Sequence, residues 1–182
     1  MLKNLYNYFD EVNKIWSEIC EEDRFDDLSY SAYTNFRLFN ENANDNWNDI
    51  RKVSIHPKTG EIIGVFDCNL DRVVMIANRL LIANLSDKYY SIFIKDLLSF
   101  IEHLIELGAK KLEYTIVSKN TKSLKLGKKF CELLDGTFYE RPYYFKSRAS
   151  KNSAEDCFVF DVFLTPNTIC VLNQYLSKSF RL

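Results

Sequence analysis

Residues 80–138 constrain the fold more than any other stretch of the chain. Residues 80–85, Leu-Leu-Ile-Ala-Asn-Leu, form an apolar run of strand length. Ser86, Asp87 and Lys88 break it with turn and cap residues. Ile94, Leu97, Leu98, Ile101, Leu104 and Ile105 then recur at three-and-four spacing, which predicts a helix over 91–106 with one buried stripe. Gly108 suits the left-handed position just past a helix end. Residues 112–117 read as a second strand. Asn120-Thr121-Lys122-Ser123 opens a second helix that stops before Gly136. So compact a strand–helix–strand unit implies a right-handed parallel crossover. Ligands of such sheets lie beyond the carboxyl ends of the strands, where helix N-termini present N–H groups to anions.

The same stretch resembles the core of the GNAT N-acetyltransferase superfamily. The family pattern is a strand, a Q/R-x-x-G-x-G/A turn opening a long helix, then "LG", a charged strand and N-x-x-S/A. Counting back from Leu107-Gly108 sets the turn on Lys88-Tyr89-Tyr90-Ser91-Ile92-Phe93, and N-x-x-S falls on Asn120 and Ser123. Lys88 keeps a cation at the first position. Ser91 and Phe93 replace the two small residues. The resemblance implies an α/β fold: a mixed, mostly antiparallel twisted sheet with a central parallel strand pair, flanked by helices. It implies acetyl-CoA (coenzyme A) as cosubstrate, held by Leu85, Lys88, Ser91, Ile92, Phe93, Asn120 and Ser123. For Phe93 two fates are open. The ring turns inward onto the core, or it fills the phosphate site.

Charge is segregated although the net charge is −1. Residues 1–50 carry eleven acids against four Lys or Arg; residues 109–151 carry the reverse, eleven Lys or Arg against four acids. The balance argues against a general nucleic-acid binder. It leaves a basic rim for a polyanion such as a nucleotide, or ordinary surface charge. Lys119, Lys122, Lys125, Lys128 and Lys129 dominate the second helix without interleaved aromatics, so a nucleic-acid patch there is unfavoured. The basic loop within 141–151 carries what remains of that reading. The five cysteines lack C-x-x-C spacing, which speaks against a metal site or a disulfide framework and for reduced thiols in a cytoplasmic setting. No apolar run approaches the ~18 residues of a membrane span, and no linker divides the chain. One domain over 1–182 is expected, with a helical part at 1–49, a sheet core at 50–164 and a helical extension at 165–182.

At the start, Leu2, Leu5, Phe9, Val12, Ile15, Trp16 and Ile19 predict an amphipathic helix over 2–20, with no clear first strand before it. A second helix is expected over 27–40. Residues 51–56 and 61–68 read as a hairpin about Pro57-Lys58-Thr59-Gly60. A long strand is expected over 73–85, with Asn78-Arg79 as a bulge. Strands over 137–145 and 157–164 close the sheet. Thr165-Pro166 opens a short helix whose inner face is Ile169, Leu172 and Leu176. That tail packs on the same domain or makes a homodimer contact.

The implied reaction is acyl transfer from acetyl-CoA to an unidentified amine, small molecule or protein. A base helps the amine lose its proton, an acid helps the thiolate leave, and a backbone donor of the fourth strand stabilises the developing oxyanion. In the family the acid is a tyrosine seven residues after the helix-opening Asn. Here that count gives Gly127. Tyr114, Tyr139, Tyr143 and Tyr144 are the alternatives, each with an ordinary packing role as its plain explanation. Asp67, Asp71 and Glu113 are the candidate bases, against the simpler role of solvated strand carboxylates. His56 and His103 read as surface residues. The sequence thus points to an acyl-CoA-dependent N-acyltransferase, with Glu113, Asp67 and Tyr114 as catalytic candidates. The alternative is a GNAT-like binding or assembly module without catalysis.

Overall fold

Strands β1 (Leu2–Asn4), β2 (Asp49–Ile55), β3 (Ile62–Asp71), β4 (Ile76–Asn84), β5 (Lys111–Val117), β6 (Thr137–Lys146) and β7 (Ala154–Phe163) form one sheet in the order β1-β2-β3-β4-β5-β7-β6. The structure, a computed structural model, describes residues 1–21, 48–118, 120–146 and 154–179. Every neighbouring pair is antiparallel except β4–β5. This is the mixed sheet with a central parallel pair that the resemblance implies.

Helix α1 (Phe9–Glu21) covers one face. Its stripe of Val12 and Trp16 packs with Leu5, Val53, Ile55, Ile62 and Val65. Helices α2 (Tyr90–Glu106) and α3 (Thr121–Leu133) cover the other face. The core there is built on Phe66, Phe100, Leu104, Leu112 and Phe160, all fully buried or nearly so. β3 lies between both cores and is apolar along most of its length, as a strand covered on two sides must be. Helix α4 (Thr168–Ser179) follows β7 and packs on α2, burying Leu172 and half-burying Ile169. The tail therefore lies on the same fold.

Three expectations change. Residues 2–4 form an edge strand rather than helix, pairing Leu2 with Ser54 and Asn4 with Lys52. Leu5–Tyr8 follows as a 3-10 turn, and the helix begins at Phe9. Leu2 and Leu5 suit a helical stripe equally well, so periodicity could not show that β2 offers them an edge. The long strand over 73–85 is shortened by a turn. The Asp71 carboxylate accepts from the amides of Val73 (2.9 Å) and Val74 (3.2 Å), Met75 is left-handed, and β4 starts at Ile76. Pro166 precedes α4 instead of sitting in its first turn; the Thr168 hydroxyl accepts from the Thr165 amide at 2.9 Å. The helix expected over 27–40 and the 147–153 part of the basic loop lie outside the described residues.

The bulge at Asn78-Arg79 is present. Asp67 pairs with Leu81 and Asn69 with Asn78, so Arg79 and Leu80 together oppose Cys68 alone. Arg79 takes a left-handed conformation, φ 52°, to make the extra step.

Candidate active site

The parallel pair β4–β5 is bonded only at Ile76–Lys111 and Ala77–Leu112. From Asn78 onward the two strands run without pairing, so a gap opens toward their carboxyl ends. Strand alternation fixes what faces it. The Leu85 amide donates to Ile63 in β3 at 2.8 Å. Ala83 and Leu81 pair with Val65 and Asp67 in the same phase, so they also address β3. The amides of Ile82 and Asn84 therefore point toward the gap. The Ile82 side chain is 38% exposed although its strand is central, and it lies on the stretch of β4 that has no partner in β5. Ile82 was hidden in the sequence inside a uniform apolar run. Its one signal was its position two residues beyond the bulge.

Both helices that follow the parting strands start at this edge. α2 begins at Tyr90 with no side-chain cap and no acid in its first turn. A 3-10 turn over Asp87–Tyr89 leads into it, with the acid Asp87 in that turn and the Tyr89 amide donating to the Ser86 carbonyl at 3.4 Å, so the N–H groups an anion could satisfy are those this turn leaves unpaired. α3 begins after Asn120, whose side-chain oxygen accepts from the Ser123 amide at 3.1 Å. Asn120 thus caps the helix, and Ser123 is exposed in its first turn.

Phe93 resolves its two fates inward. The ring is buried, stacked on Phe66 with centroids 5.1 Å apart, and lies over Gly64 of β3. A Cβ at Gly64 would sit 2.5 Å from the ring and 2.5 Å from the Ala83 carbonyl oxygen. The glycine is what lets the phenyl ring lie against the sheet, away from the amides of the turn. Ile92 is half-buried against the same core, and Ser91 is exposed.

The other cofactor candidates separate. Leu85 and Lys88 line a shallow depression of about 290 Å³ on the α1 side, with Ile15, Glu61, Ile62, Ser86 and Tyr89. The Leu85 amide is already engaged by Ile63. The Lys88 ammonium lies 4.7 Å from the Tyr89 ring centroid. Hydrogen bonding to Tyr89, then the charge of Glu61, raises its pKa. Tyr89 in turn donates to the Glu61 carboxylate, and its ring rests 4.5 Å from that of His56. His56 is a turn residue here, accepting from the Thr59 amide at 3.1 Å.

The catalytic candidates fall in three different places. Tyr114 is buried, stacked on Phe160 at 4.7 Å, and its hydroxyl donates to the Gly127 carbonyl at 3.0 Å. Burial pushes its pKa up, far from that of a proton donor at neutral pH. This geometry gives Tyr114 the role of fastening α3 to the sheet. Gly127 faces the same contact: a Cβ there would collide with the Ile116 side chain and come within 3.5 Å of Tyr114. The position where the family carries its acid is thus closed by packing. Gly127→Ala sets the displacement of the Ile116 Cδ1 methyl, the end of a flexible side chain, against the ~1 kcal/mol that alanine gains over glycine within a helix; a urea melt is expected to show a midpoint little changed, and a loss of about 1–3 kcal/mol would show that Ile116 cannot turn aside.

Glu113 lies on the opposite face of β5, half exposed, with Lys111 at 3.4 Å; Lys111 also holds Asp161 at 2.7 Å. That trio lies on the far side of β5 from α3. Asp67 differs from both. It is 4% exposed and pairs with Leu81 beside the bulge, one strand from the gap. Arg51 stands 3.7 Å from it, and burial raises its pKa from 3.8 to about 7 against the opposing pull of Arg51. Tyr139 is exposed on β6, and the side chains of Tyr143 and Tyr144 lie outside the described residues. Among the described residues no group of three or more His, Cys, Asp or Glu is placed to hold a metal ion, and no helix is long and apolar enough to cross a membrane.

No protein-family model and no curated protein matches the chain. Solved structures do. A chimera of the spermidine N-acetyltransferase SpeG from Vibrio cholerae and hSSAT aligns with a TM-score of 0.61 at 15% identity, covering 97% of each chain. A second chimera of the same pair gives 0.59 at 14% identity, covering 97% of this chain and 99% of that one. The ribosomal-protein-S18-alanine N-acetyltransferase of Escherichia coli gives 0.52 at 16% identity, over 71% of this chain and 77% of its own. The chain therefore has the GNAT N-acetyltransferase fold.

Proposed function

We propose that this protein is an acyl-CoA-dependent N-acyltransferase that moves an acetyl group from acetyl-CoA to an amine. The observation that carries the reading is the parting of β4 from β5 after Ala77, with the uncapped start of α2 and the start of α3 at the same edge. The gap fits a slender thioester arm. The amides opening α2 suit its pyrophosphate, and the inward Phe93 ring leaves them approachable. Ser91, Ile92, Asn120 and Ser123 are the residues of the proposed cofactor site. Leu85 and Lys88 flank it from the α1 side.

In this reading the acetyl-CoA supplies an activated acyl group, and the protein positions it. The Ile82 or Asn84 amide donates to the carbonyl oxygen as charge develops there. The amine nitrogen forms the new C–N bond as the C–S bond breaks. The departing thiolate takes its proton from water, since Gly127 and Tyr114 are both committed to packing. The structures that share the fold act on spermidine and on a ribosomal-protein alanine; neither acceptor is carried over to this chain.

The closing of the acid position by Gly127 favours a second reading, a non-catalytic module on the same fold. Titration with acetyl-CoA at low salt separates the two. Acetyl-CoA is expected to raise the melting temperature and give a calorimetric signal that weakens as salt rises, because the contact is with phosphate. No heat and no thermal shift at millimolar acetyl-CoA would remove the enzyme reading.

A further inference from the structure

Tyr89 is the joint at which the chain passes from the 3-10 turn into α2, with φ −117° and ψ 31°. Little that is local holds this joint. The Leu85 amide bonds β4 to Ile63 of β3 at 2.8 Å, and beyond it the chain leaves the sheet. Ser86 makes no side-chain cap to the turn, and Tyr89 makes none to α2. The backbone bond across the turn, from the Tyr89 amide to the Ser86 carbonyl, is long at 3.4 Å. Tyr89 is anchored instead to a hairpin far upstream. Its hydroxyl donates to the Glu61 carboxylate, and its ring leans on that of His56 with centroids 4.5 Å apart.

The turn between β2 and β3 makes a firm anchor. The His56 amide donates to the Glu61 carbonyl at 2.8 Å, and the Gly60 amide to the His56 carbonyl at 3.0 Å. The Thr59 hydroxyl donates at 3.1 Å to the same Glu61 oxygen that receives Tyr89. The bond from Tyr89, then that from Thr59, holds the Glu61 carboxyl below its ordinary pKa, so it stays ionised and accepts. Such bonds on an exposed acid add little to stability, because water serves the carboxylate as well; what they supply is direction. We propose that Glu61 is a positioning residue acting through Tyr89, by which the β2–β3 hairpin sets the angle at which α2 presents its leading amides. On the acyltransferase reading, on which this inference rests, those amides receive the pyrophosphate of acetyl-CoA. Ser91 and Ile92 follow Tyr89 closely in the chain, so a change in the Tyr89 backbone angles swings their N–H groups. Lys88, with its ammonium 4.7 Å from the Tyr89 ring centroid, is carried on the same joint.

The test uses the full ¹⁵N-labelled chain as wild type, Tyr89→Phe, Glu61→Ala, Glu61→Gln and the Tyr89→Phe/Glu61→Ala double variant. Phenylalanine keeps the ring on His56 and removes only the donor; glutamine keeps an acceptor oxygen. Calorimetry with acetyl-CoA at low salt is expected to show binding about three- to tenfold weaker in Tyr89→Phe and in Glu61→Ala. The double variant should lose no more than either single one, and Glu61→Gln should recover most of the affinity. Loss of the Glu61 charge would by itself favour an anion, so weaker binding in Glu61→Ala reports the lost joint rather than the lost charge. Melting temperatures should stay close to wild type, since Glu61 is exposed. Without ligand, the Ser91 and Ile92 amide resonances should move in Glu61→Ala and return in Glu61→Gln. Wild-type affinity in both single variants, or losses that add in the double variant, overturns this proposal alone. No heat from the wild-type protein sinks the acyltransferase reading, and the amide resonances then decide the joint by themselves: movement in Glu61→Ala keeps it, and unmoved resonances overturn it.

Discussion

Phe93→Ala is expected to lower stability by about 3–5 kcal/mol, the range for truncating a buried aromatic ring. The ring is 5% exposed, stacks on Phe66, and lies on the one β3 position, Gly64, that lacks a side chain. Nothing nearby can collapse into the space, since Phe66 and Phe100 are already packed on each other at 5.4 Å. Phe93→Gly should cost about 1 kcal/mol more through helix propensity. Denaturant melts give the numbers. Acetyl-CoA affinity, corrected for the folded fraction, should not improve. A tighter complex at unchanged stability would mean the ring occupies the phosphate site in solution.

Asp67→Asn is expected to change the pH dependence of stability, with a sign opposite to that of a carboxylate held ionised by a cationic partner. Burial raises the folded-state pKa from 3.8 to about 7. Between these values the folded protein holds a proton that the unfolded chain has released. Stability from this group is therefore fully present below about pH 4, falls as pH rises, and is lost above about pH 7. A gap of about three units sets a ceiling of about 4 kcal/mol. Asn removes the titration, so the difference in stability between about pH 4 and about pH 8 should shrink by up to that amount. Arg51 keeps Asp49 as its partner, which limits the damage of the substitution. A pH profile identical to wild type would show that Asp67 titrates normally. If the variant is also inactive while more stable at high pH, the carboxylate is present for function at the expense of the fold.

The unit from 80 to 138 was legible because its signals are local. A 3.6-residue stripe, Gly108 and the Asn120 cap each act within a few residues, and spacing alone set their order. The bulge at Arg79 was legible for the same reason, as a polar break within an apolar strand. What could not be read depends on partners distant in sequence. β1 exists because β2 offers an edge to Leu2–Asn4. Phe93 turns inward because Gly64, far upstream, leaves room for it. Tyr114 looked like a proton donor near a cleft until its hydroxyl met the Gly127 carbonyl. Glu113 and Asp67 looked alike as strand carboxylates, and only registry set them apart. One lies with Lys111 on an open face, the other beside Arg51 in the interior. Ile82 carried only an indirect signal, its place two residues beyond the bulge, because a parting of parallel strands has no local sequence mark of its own.

Acetyl-CoA is expected to enter the gap between β4 and β5. Isoleucine methyl NMR tests it most directly, because the two candidate cavities carry different isoleucines. Ile82 faces the gap, whereas Ile15 and Ile62 line the depression on the α1 side. Titration with acetyl-CoA is predicted to shift the Ile82 methyl resonances and leave those of Ile15 and Ile62 in place. Shifts confined to Ile15 and Ile62, or no shift at millimolar acetyl-CoA, would show that acetyl-CoA does not enter the gap.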